Sequence, residues 1–166
     1  SLSKTFSITG WRLGFLIAPP AVAENVKKVH DFLTVGAPAP LQEAACAAYG
    51  LGQDYYDELG AMYAKKRQIF MDGLDSIGLK HTVPQGSYFI LVDISDFLAK
   101  PKFQGWTDLQ FCEWMIEEVG VAAVPGSSFF REPVNHLIRL HFARSEDSLR
   151  EAIERLSKLS AYLQMD

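Results

Sequence analysis

SLSKTFSITGWRLG, residues 1–14, opens this 166-residue chain and contains its candidate reactive residues. Lys4 lies among small hydroxyl residues, which can donate hydrogen bonds to an anion but offer no carboxylate to pair with the ammonium group. A lysine in these surroundings is suited to act as an amine nucleophile. From Gly10 to Ala18 the alternation of side chains predicts a β-strand that follows the lysine-bearing loop.

Arg12 is the second cation of this stretch, and it is predicted to point away from the aromatic face of that strand. Because Gly10 can adopt a positive φ angle, the segment between Lys4 and Arg12 can fold the two cations towards one pocket. If the two cations are buried side by side, an anion is needed to balance their charge. A dianionic phosphate fits, since the fork of Arg12 can bind two of its oxygens while hydroxyls such as that of Ser1 donate to the remaining lone pairs.

The spacing of Ser1, Lys4 and Arg12 matches a known signature. The stretch resembles the cofactor-lysine motif of class I and II aminotransferases, the fold-type-I enzymes that use pyridoxal 5'-phosphate. The resemblance implies that Lys4 is the catalytic residue and forms a Schiff base with the cofactor. It also implies that Ser1, which precedes the lysine, and Arg12, which follows it, bind the cofactor phosphate.

Three blocks in the second half of the chain resemble motifs of the same enzymes, in the same order: QGSYF at 85–89, VPGSSF at 124–129 and IRLHFA at 138–143. By this resemblance, Arg139 binds the α-carboxylate of the substrate. Two longer matches, GSYFILVDISDF and FCEWMIEEVGVAAVP, are most similar to kynurenine and methionine aminotransferases. Tyr88 and Phe129 fit either a pocket for large apolar or aromatic substrate side chains or plain core positions, and both interpretations stay open.

The composition of the chain suits a globular protein. Hydrophobic residues make up 48% of it, enough for one domain or for one domain and part of another. A net charge of -4 argues against nucleic acid or an anionic membrane as a partner, and no apolar run approaches the roughly eighteen residues of a membrane span. Cys46 and Cys112 have no ligands at metal-binding spacing, which predicts no metal site and two reduced core thiols in a cytoplasmic protein.

Helical periodicity predicts five helices, at residues 20–35, 41–49, 54–77 and 107–119 and after Ser145. Thr107 and Gln110 have the spacing of a capping box, and Ser145 is a suitable N-cap. Residues 96–105 are predicted to form a polar loop.

Strands are predicted at residues 79–83, 87–94, 121–124 and 137–142. The apolar run 88–92 predicts burial on both faces of its strand. In the last strand one face carries Ile138, Leu140 and Phe142, and the other carries Leu137, Arg139 and His141. The order of elements predicts an α/β chain with an α+β small domain, in which helices cover a partly antiparallel sheet.

The family's phosphate loop and the residues that contact the cofactor ring precede the lysine, and none of them is in this chain. The resemblance therefore implies the C-terminal portion of an aminotransferase. Residues 1–50 would be the C-terminal remnant of the large cofactor-binding domain of pyridoxal-phosphate-dependent transferases, and residues 51–166 would be the small C-terminal domain. The full-length enzyme is expected to be a homodimer, and the isolated chain is expected to be inactive.

The implied reaction is transfer of the amino group of an α-amino acid to a 2-oxo acid through the Lys4 Schiff base. Two alternatives use the same residues. One is a pyridoxal-phosphate-dependent C–S β-lyase on the same scaffold. The other is an aminotransferase-like domain that senses a ligand within a transcription regulator, although this chain shows no basic recognition helix of its own.

Overall fold

A computed structural model describes residues 1–132 and 134–164 of the chain. The chain divides into two compact units, Ser1–Asp57 and Glu58–Asp166. This division lies seven residues beyond the boundary that the sequence predicts after residue 50, and the assignment of the units to two parts of an aminotransferase stays a prediction. Within the described ranges no helix is long and apolar enough to cross a membrane.

The first unit is helical. It contains α1 (Leu2–Thr5), a 3-10 turn (Thr9–Trp11), α2 (Pro20–Thr34), α3 (Ala39–Tyr49) and the beginning of α4 (Gln53–Ile77). The last three helices lie within two residues of their predicted bounds. Proline stands in the first turn of α2 and α3, and a glycine follows within two residues of the end of all three helices. A small core of Leu2, Leu13 and Ala45 holds residues 1–14 and α3 together.

The predicted strand from Gly10 to Ala18 is wrong. Residues 12–19 form neither helix nor strand and have no ladder partner among the described residues, and Arg12 adopts a left-handed conformation with φ 56° and ψ 40°. Phe15 and Ile17, which the alternation placed on one face of that strand, are 62% and 87% exposed. A strand depends on a neighbouring strand for its hydrogen bonds, and the first unit supplies only helices and turns.

The predicted amphipathic character of α2 is present, but its apolar face is not covered. Val22, Val26 and Val29 lie on this face together with Leu33, and all four are exposed. Such a face contributes little to the stability of the first unit, because apolar side chains stabilise a fold only when they leave water.

The second unit consists of helices and a small antiparallel sheet, which confirms the α+β prediction. Its strands are β1 (Phe89–Asp93), β2 (Val124–Pro125) and β3 (Leu137–His141), in the order β1-β3-β2. The helices after α4 are α5 (Ser95–Leu98), α6 (Asp108–Trp114), which continues as a π-helical turn (Met115–Val119), α7 (Glu146–Leu156) and α8 (Leu159–Leu163). Their apolar faces and one face of the sheet form the main core.

The strand β3 alternates as predicted, with Ile138 and Leu140 buried and Arg139 half-buried on the opposite face. The prediction that 88–92 is buried on both faces is wrong, because β1 shows the same alternation. Only one face of this sheet packs against the core, so only every second side chain is fully buried. Of the predicted strand 79–83, a single bridge between His81 and Val92 remains.

The prediction of a polar loop at residues 96–105 is wrong. This segment contains most of α5 and a 3-10 turn (Pro101–Phe103), and both Phe97 and Phe103 are completely buried in the main core. Its lysines and glycine suggested a loop, whereas its two phenylalanines decide its packing.

Local sequence patterns predicted the ends of the helix after residue 107 correctly, but they predicted the burial of only one of the two cysteines correctly. The capping box of Thr107 and Gln110 is present with both of its hydrogen bonds, and Gly120 ends the helical segment with a φ of 76°. Cys112 is buried as predicted. Cys46 is exposed, contrary to the prediction.

Candidate active site

Lys4 lies in the single turn of α1 rather than in the predicted loop. The hydroxyl oxygen of Ser1 caps this turn and accepts a hydrogen bond of 3.3 Å from the backbone N–H of Ser3. The N–H of Leu2 donates to the C=O of Leu13 at 3.2 Å. This backbone bond closes residues 1–14 into a compact loop, so the two ends of the stretch lie together.

Thr9 connects the two predicted cations. The ammonium Nζ of Lys4 donates to the Thr9 hydroxyl at 3.4 Å, and Nη1 of Arg12 donates to the Thr9 backbone C=O at 3.2 Å. The Thr9 hydroxyl itself donates to the C=O of Ser3 at 3.1 Å. Lys4 and Arg12 therefore approach one another through a shared neighbour, although the strand predicted to carry Arg12 does not form.

Thr9 was not singled out from the sequence. The available signal was its hydroxyl, which belongs to the same hydroxyl-rich stretch as Ser1 and Ser3. Its importance arises from the 3-10 turn that directs both its side chain and its carbonyl towards the cations.

Lys4 and Arg12 are exposed to solvent, which corrects the expectation that they are buried. The small core of the first unit does not extend to them. In the described part of the chain no carboxylate pairs with Arg12, so its guanidinium is available to an anion. Two cations and the hydroxyls of Ser1 and Thr9 form a donor set that suits the phosphate and the aldehyde of pyridoxal 5'-phosphate.

Arg139, in the second unit, lies between two aromatic rings. Its Cζ atom is 4.0 Å from the ring centre of Phe89 and 3.9 Å from that of Phe129. Within residues 1–132 and 134–164 it forms no hydrogen bond or ion pair. Rings on the two faces of a guanidinium leave its N–H groups directed outwards at the edges, where a planar carboxylate can bind in bidentate fashion.

His141 lies on the same face of β3 and does not add a second positive charge. Burial lowers the pKa of His141, and the positive charges of Arg144 and Arg139 lower it further. The imidazole is therefore neutral at neutral pH. Of these two residues on one face of β3, Arg139 therefore carries the positive charge beside the two phenyl rings.

The two aromatic residues that the sequence left open differ in their surroundings. Tyr88 is half-buried against the main core and stacks on Tyr63, with ring centres 6.1 Å apart. Phe129 is 47% exposed and packs on Arg139. The plain core interpretation therefore suits Tyr88, whereas Phe129 belongs to the surroundings of Arg139.

Comparison with known proteins gives a consistent result. A family model described as aminotransferase class I and II matches residues 1–156. The methionine aminotransferase of Escherichia coli (strain K12) is 37% identical over 160 residues, which are 96% of this chain and 40% of the relative. Human kynurenine–oxoglutarate transaminase 1 is 33% identical over 174 residues, with 95% of this chain and 41% of the relative covered.

Solved structures agree with these sequence matches. A crystal structure of Bna3p from Saccharomyces cerevisiae superposes with a TM-score of 0.86 at 30% identity and covers 98% of this chain. That of an Escherichia coli protein with a methionine aminotransferase function superposes with a TM-score of 0.82 at 37% identity. The chain spans about 40% of the length of these proteins. By sequence and by structure, the chain belongs to the class I and II aminotransferases.

Proposed function

We propose that the full-length protein containing this chain is a pyridoxal-phosphate-dependent aminotransferase that transfers the amino group of an α-amino acid to a 2-oxo acid. The observation that carries the proposal is the convergence of Lys4 and Arg12 on Thr9. It brings an amine nucleophile next to a guanidinium that can hold a phosphate.

Lys4 is proposed to hold the cofactor covalently. When bound, pyridoxal 5'-phosphate supplies an aldehyde that condenses with an amine and a ring that withdraws electrons from the substrate Cα. Nζ of Lys4 would hold the cofactor through that aldehyde, and the substrate amine would displace it. The displaced Nζ would then be available to accept the proton from Cα as a general base.

Arg12, Ser1 and Thr9 are proposed to bind the cofactor phosphate. The guanidinium of Arg12 offers two parallel N–H groups to the phosphate oxygens, and the hydroxyls of Ser1 and Thr9 can donate to others. The hydroxyl of Ser1 now accepts a hydrogen bond from Ser3, an arrangement that leaves its own O–H proton available to an anion.

Arg139 is proposed to bind the α-carboxylate of the substrate. Its flanking rings fix the plane of the guanidinium, and its N–H groups have no partner in the described part of the chain. The exposed ring of Phe129 next to it suits a substrate with a large apolar or aromatic side chain. L-Methionine and L-kynurenine are the first substrates to test, because relatives of this chain carry methionine and kynurenine in their names.

The wider assembly is proposed from the family alone. Residues 1–50 would belong to the large cofactor-binding domain and residues 51–166 to the small domain of a homodimeric enzyme. A cytoplasmic location is proposed on the same ground. Size measurements on the purified full-length protein test the dimer directly.

The decisive experiment locates the cofactor. The full-length protein is reduced with borohydride, digested and examined by mass spectrometry, and the pyridoxyl group is expected on Lys4. Lys4→Ala should abolish this adduct and the turnover, whereas Lys27→Ala, at an exposed lysine of α2, should change neither. An adduct on a different lysine of the unmutated protein would overturn the assignment.

The same preparation separates transfer from lyase chemistry. An aminotransferase converts the amino acid only when a 2-oxo acid accepts the amino group. A C–S β-lyase releases pyruvate and ammonia from a cysteine conjugate without an acceptor. Release of both products in the absence of a 2-oxo acid would favour the lyase.

A further inference from the structure

A buried carboxylate holds the turn that carries one of the two rings beside Arg139. This turn is the 3-10 segment Gly126–Phe129. The side chain of Asp108, at the start of α6, is only 1% exposed. Its Oδ2 accepts a hydrogen bond of 2.7 Å from the backbone N–H of Ser127, and its Oδ1 accepts one of 3.1 Å from the Ser127 hydroxyl. Both carboxylate oxygens therefore bind the same residue of the turn.

Asp108 is itself held in place. Its Oδ1 also accepts the backbone N–H of Leu109 at 3.0 Å, at the N-terminal end of α6. With three hydrogen bonds and almost no exposure, the carboxylate has a single orientation. It can therefore fix the position of the turn and not only stabilise α6.

The opposite side of the turn is fixed by a close backbone contact with β3. A Cβ atom added at Gly126 would lie 2.4 Å from the carbonyl oxygen of Leu137, two residues before Arg139. The register of the sheet places Val124 opposite Arg139. The turn is thus held by Asp108 on one side and by the strand that carries Arg139 on the other.

The two rings beside the guanidinium differ in what holds them. Phe89 belongs to β1, which is paired along its length with β3. Phe129 ends the turn and is 47% exposed, so core packing does not fix its ring. Its position depends on the backbone of the turn, and the backbone depends on the contact between Asp108 and Ser127.

We propose that Asp108 is a positioning residue for Arg139. By holding Ser127 through both carboxylate oxygens, it fixes the ring of Phe129, and this ring sets the plane in which Arg139 offers its N–H groups to a substrate carboxylate. The inference rests on the proposed role of Arg139. Asp108 acts through Ser127 and Phe129 and does not touch the substrate.

The test compares two substrates that differ only in the carboxylate. In the full-length enzyme, kcat/KM is measured for L-methionine and for L-methioninamide, whose neutral amide cannot form a charged pair with Arg139. Asp108→Asn places an N–H group against a donor of Ser127, which should displace the turn. We expect kcat/KM for methionine to fall roughly tenfold to a hundredfold, while the value for methioninamide changes less than about twofold.

Two neighbouring variants sharpen the comparison. Phe129→Leu removes the ring without touching Asp108. Like Asp108→Asn, it should lower the ratio of kcat/KM for methionine to kcat/KM for methioninamide. It also carries the test if Asp108→Asn fails to fold. Ser128→Ala is the matched control, since this exposed residue of the same turn has no hydrogen bond in the described part of the chain. It should leave the ratio unchanged.

A double-variant comparison separates failure of this inference from failure of the proposed function. If Arg139→Ala alone leaves the preference for methionine over methioninamide intact, the proposed carboxylate site is wrong. If Arg139→Ala removes that preference, Asp108→Asn should cause no further loss for methionine in the Arg139→Ala background. A further loss there, or equal losses for both substrates in the single variant, would show that Asp108 serves only the stability of the fold.

Discussion

The hydroxyl of Tyr55 donates a hydrogen bond of 2.6 Å to the backbone C=O of Thr5, the residue that follows Lys4. Phe6 stacks on the same ring, with ring centres 5.9 Å apart. The start of α4 thus holds the end of α1 through one polar and one aromatic contact. The position of Lys4 therefore depends on a contact between two residues that are fifty positions apart in sequence.

Tyr55→Phe should loosen the turn that carries Lys4 and leave the aromatic stack intact. Loss of one hydrogen bond of about 1 kcal/mol corresponds to roughly fivefold faster opening. Hydrogen exchange of the peptide that spans residues 1–14 in the full-length protein measures this opening. Tyr49→Phe is the control, because the exposed Tyr49 hydroxyl has no partner in the described residues. Equal exchange in Tyr55→Phe and the unmutated protein would contradict the prediction.

Arg139→Lys should impair the full-length enzyme although the positive charge is kept. Lysine is a point charge that cannot bind a carboxylate in bidentate fashion or stack flat between two rings. We expect higher KM values for the amino acid and the 2-oxo acid, and a lower kcat because Cα is misaligned. The loss in kcat/KM should be about 2 to 5 kcal/mol. A solvated surface arginine would instead give a change within about 0.5 kcal/mol.

The two cysteines should react at very different rates with a thiol reagent. Burial, together with the nearby charges of Asp108 and Glu113, raises the pKa of Cys112 to about 12. This thiol stays protonated and inaccessible at pH 8, whereas Cys46 is exposed. Treatment of the folded chain with iodoacetamide at pH 8 should modify Cys46 alone, as read by mass spectrometry. Modification of Cys112 should require a denaturant.

The isolated 166-residue chain should bind pyridoxal 5'-phosphate weakly and should not catalyse amino transfer. The chain spans about 40% of its relatives, and residues of the remaining length are needed for the ring contacts that the family resemblance implies. Titration of the purified chain with the cofactor, followed by absorbance, measures the affinity. A tight, saturable and catalytically active complex would falsify this prediction.

The parts of the fold that were predictable depend on local sequence. The capping box of Thr107 and Gln110, the stop at Gly120 and the alternation around Arg139 each involve residues within a few positions of one another. Such patterns reflect hydrogen bonds between residues that are close in sequence and the side of an element on which each side chain lies. They could be identified without knowledge of the tertiary structure.

The parts that were missed depend on distant partners. The residues after Arg12 form no strand, because a ladder partner is a tertiary feature. Phe97 and Phe103 are core residues inside a segment whose composition resembles a loop. Asp108 and Ser127 lie nineteen positions apart and join only when α6 packs beside the sheet.

The same limit applies to the candidate site. The spacing of Lys4, Arg12 and Ser1 makes them candidates at the level of sequence. Thr9 is not among them, because its contacts arise from the geometry of a 3-10 turn. The aromatic surroundings of Arg139 were also missed. They need two strands and a turn to assemble before Phe89 and Phe129 meet the guanidinium.

The division of the chain between Asp57 and Glu58 also distributes its tryptophans between the two units. Trp11 is the tryptophan of the first unit, whereas Trp106 and Trp114 lie in the second. In a Trp11→Phe variant, indole emission reports only on the second unit. In a Trp106→Phe, Trp114→Phe variant it reports only on the first. Each unit therefore has its own optical signal, and the order in which the two units melt can be recorded within one uncut polypeptide.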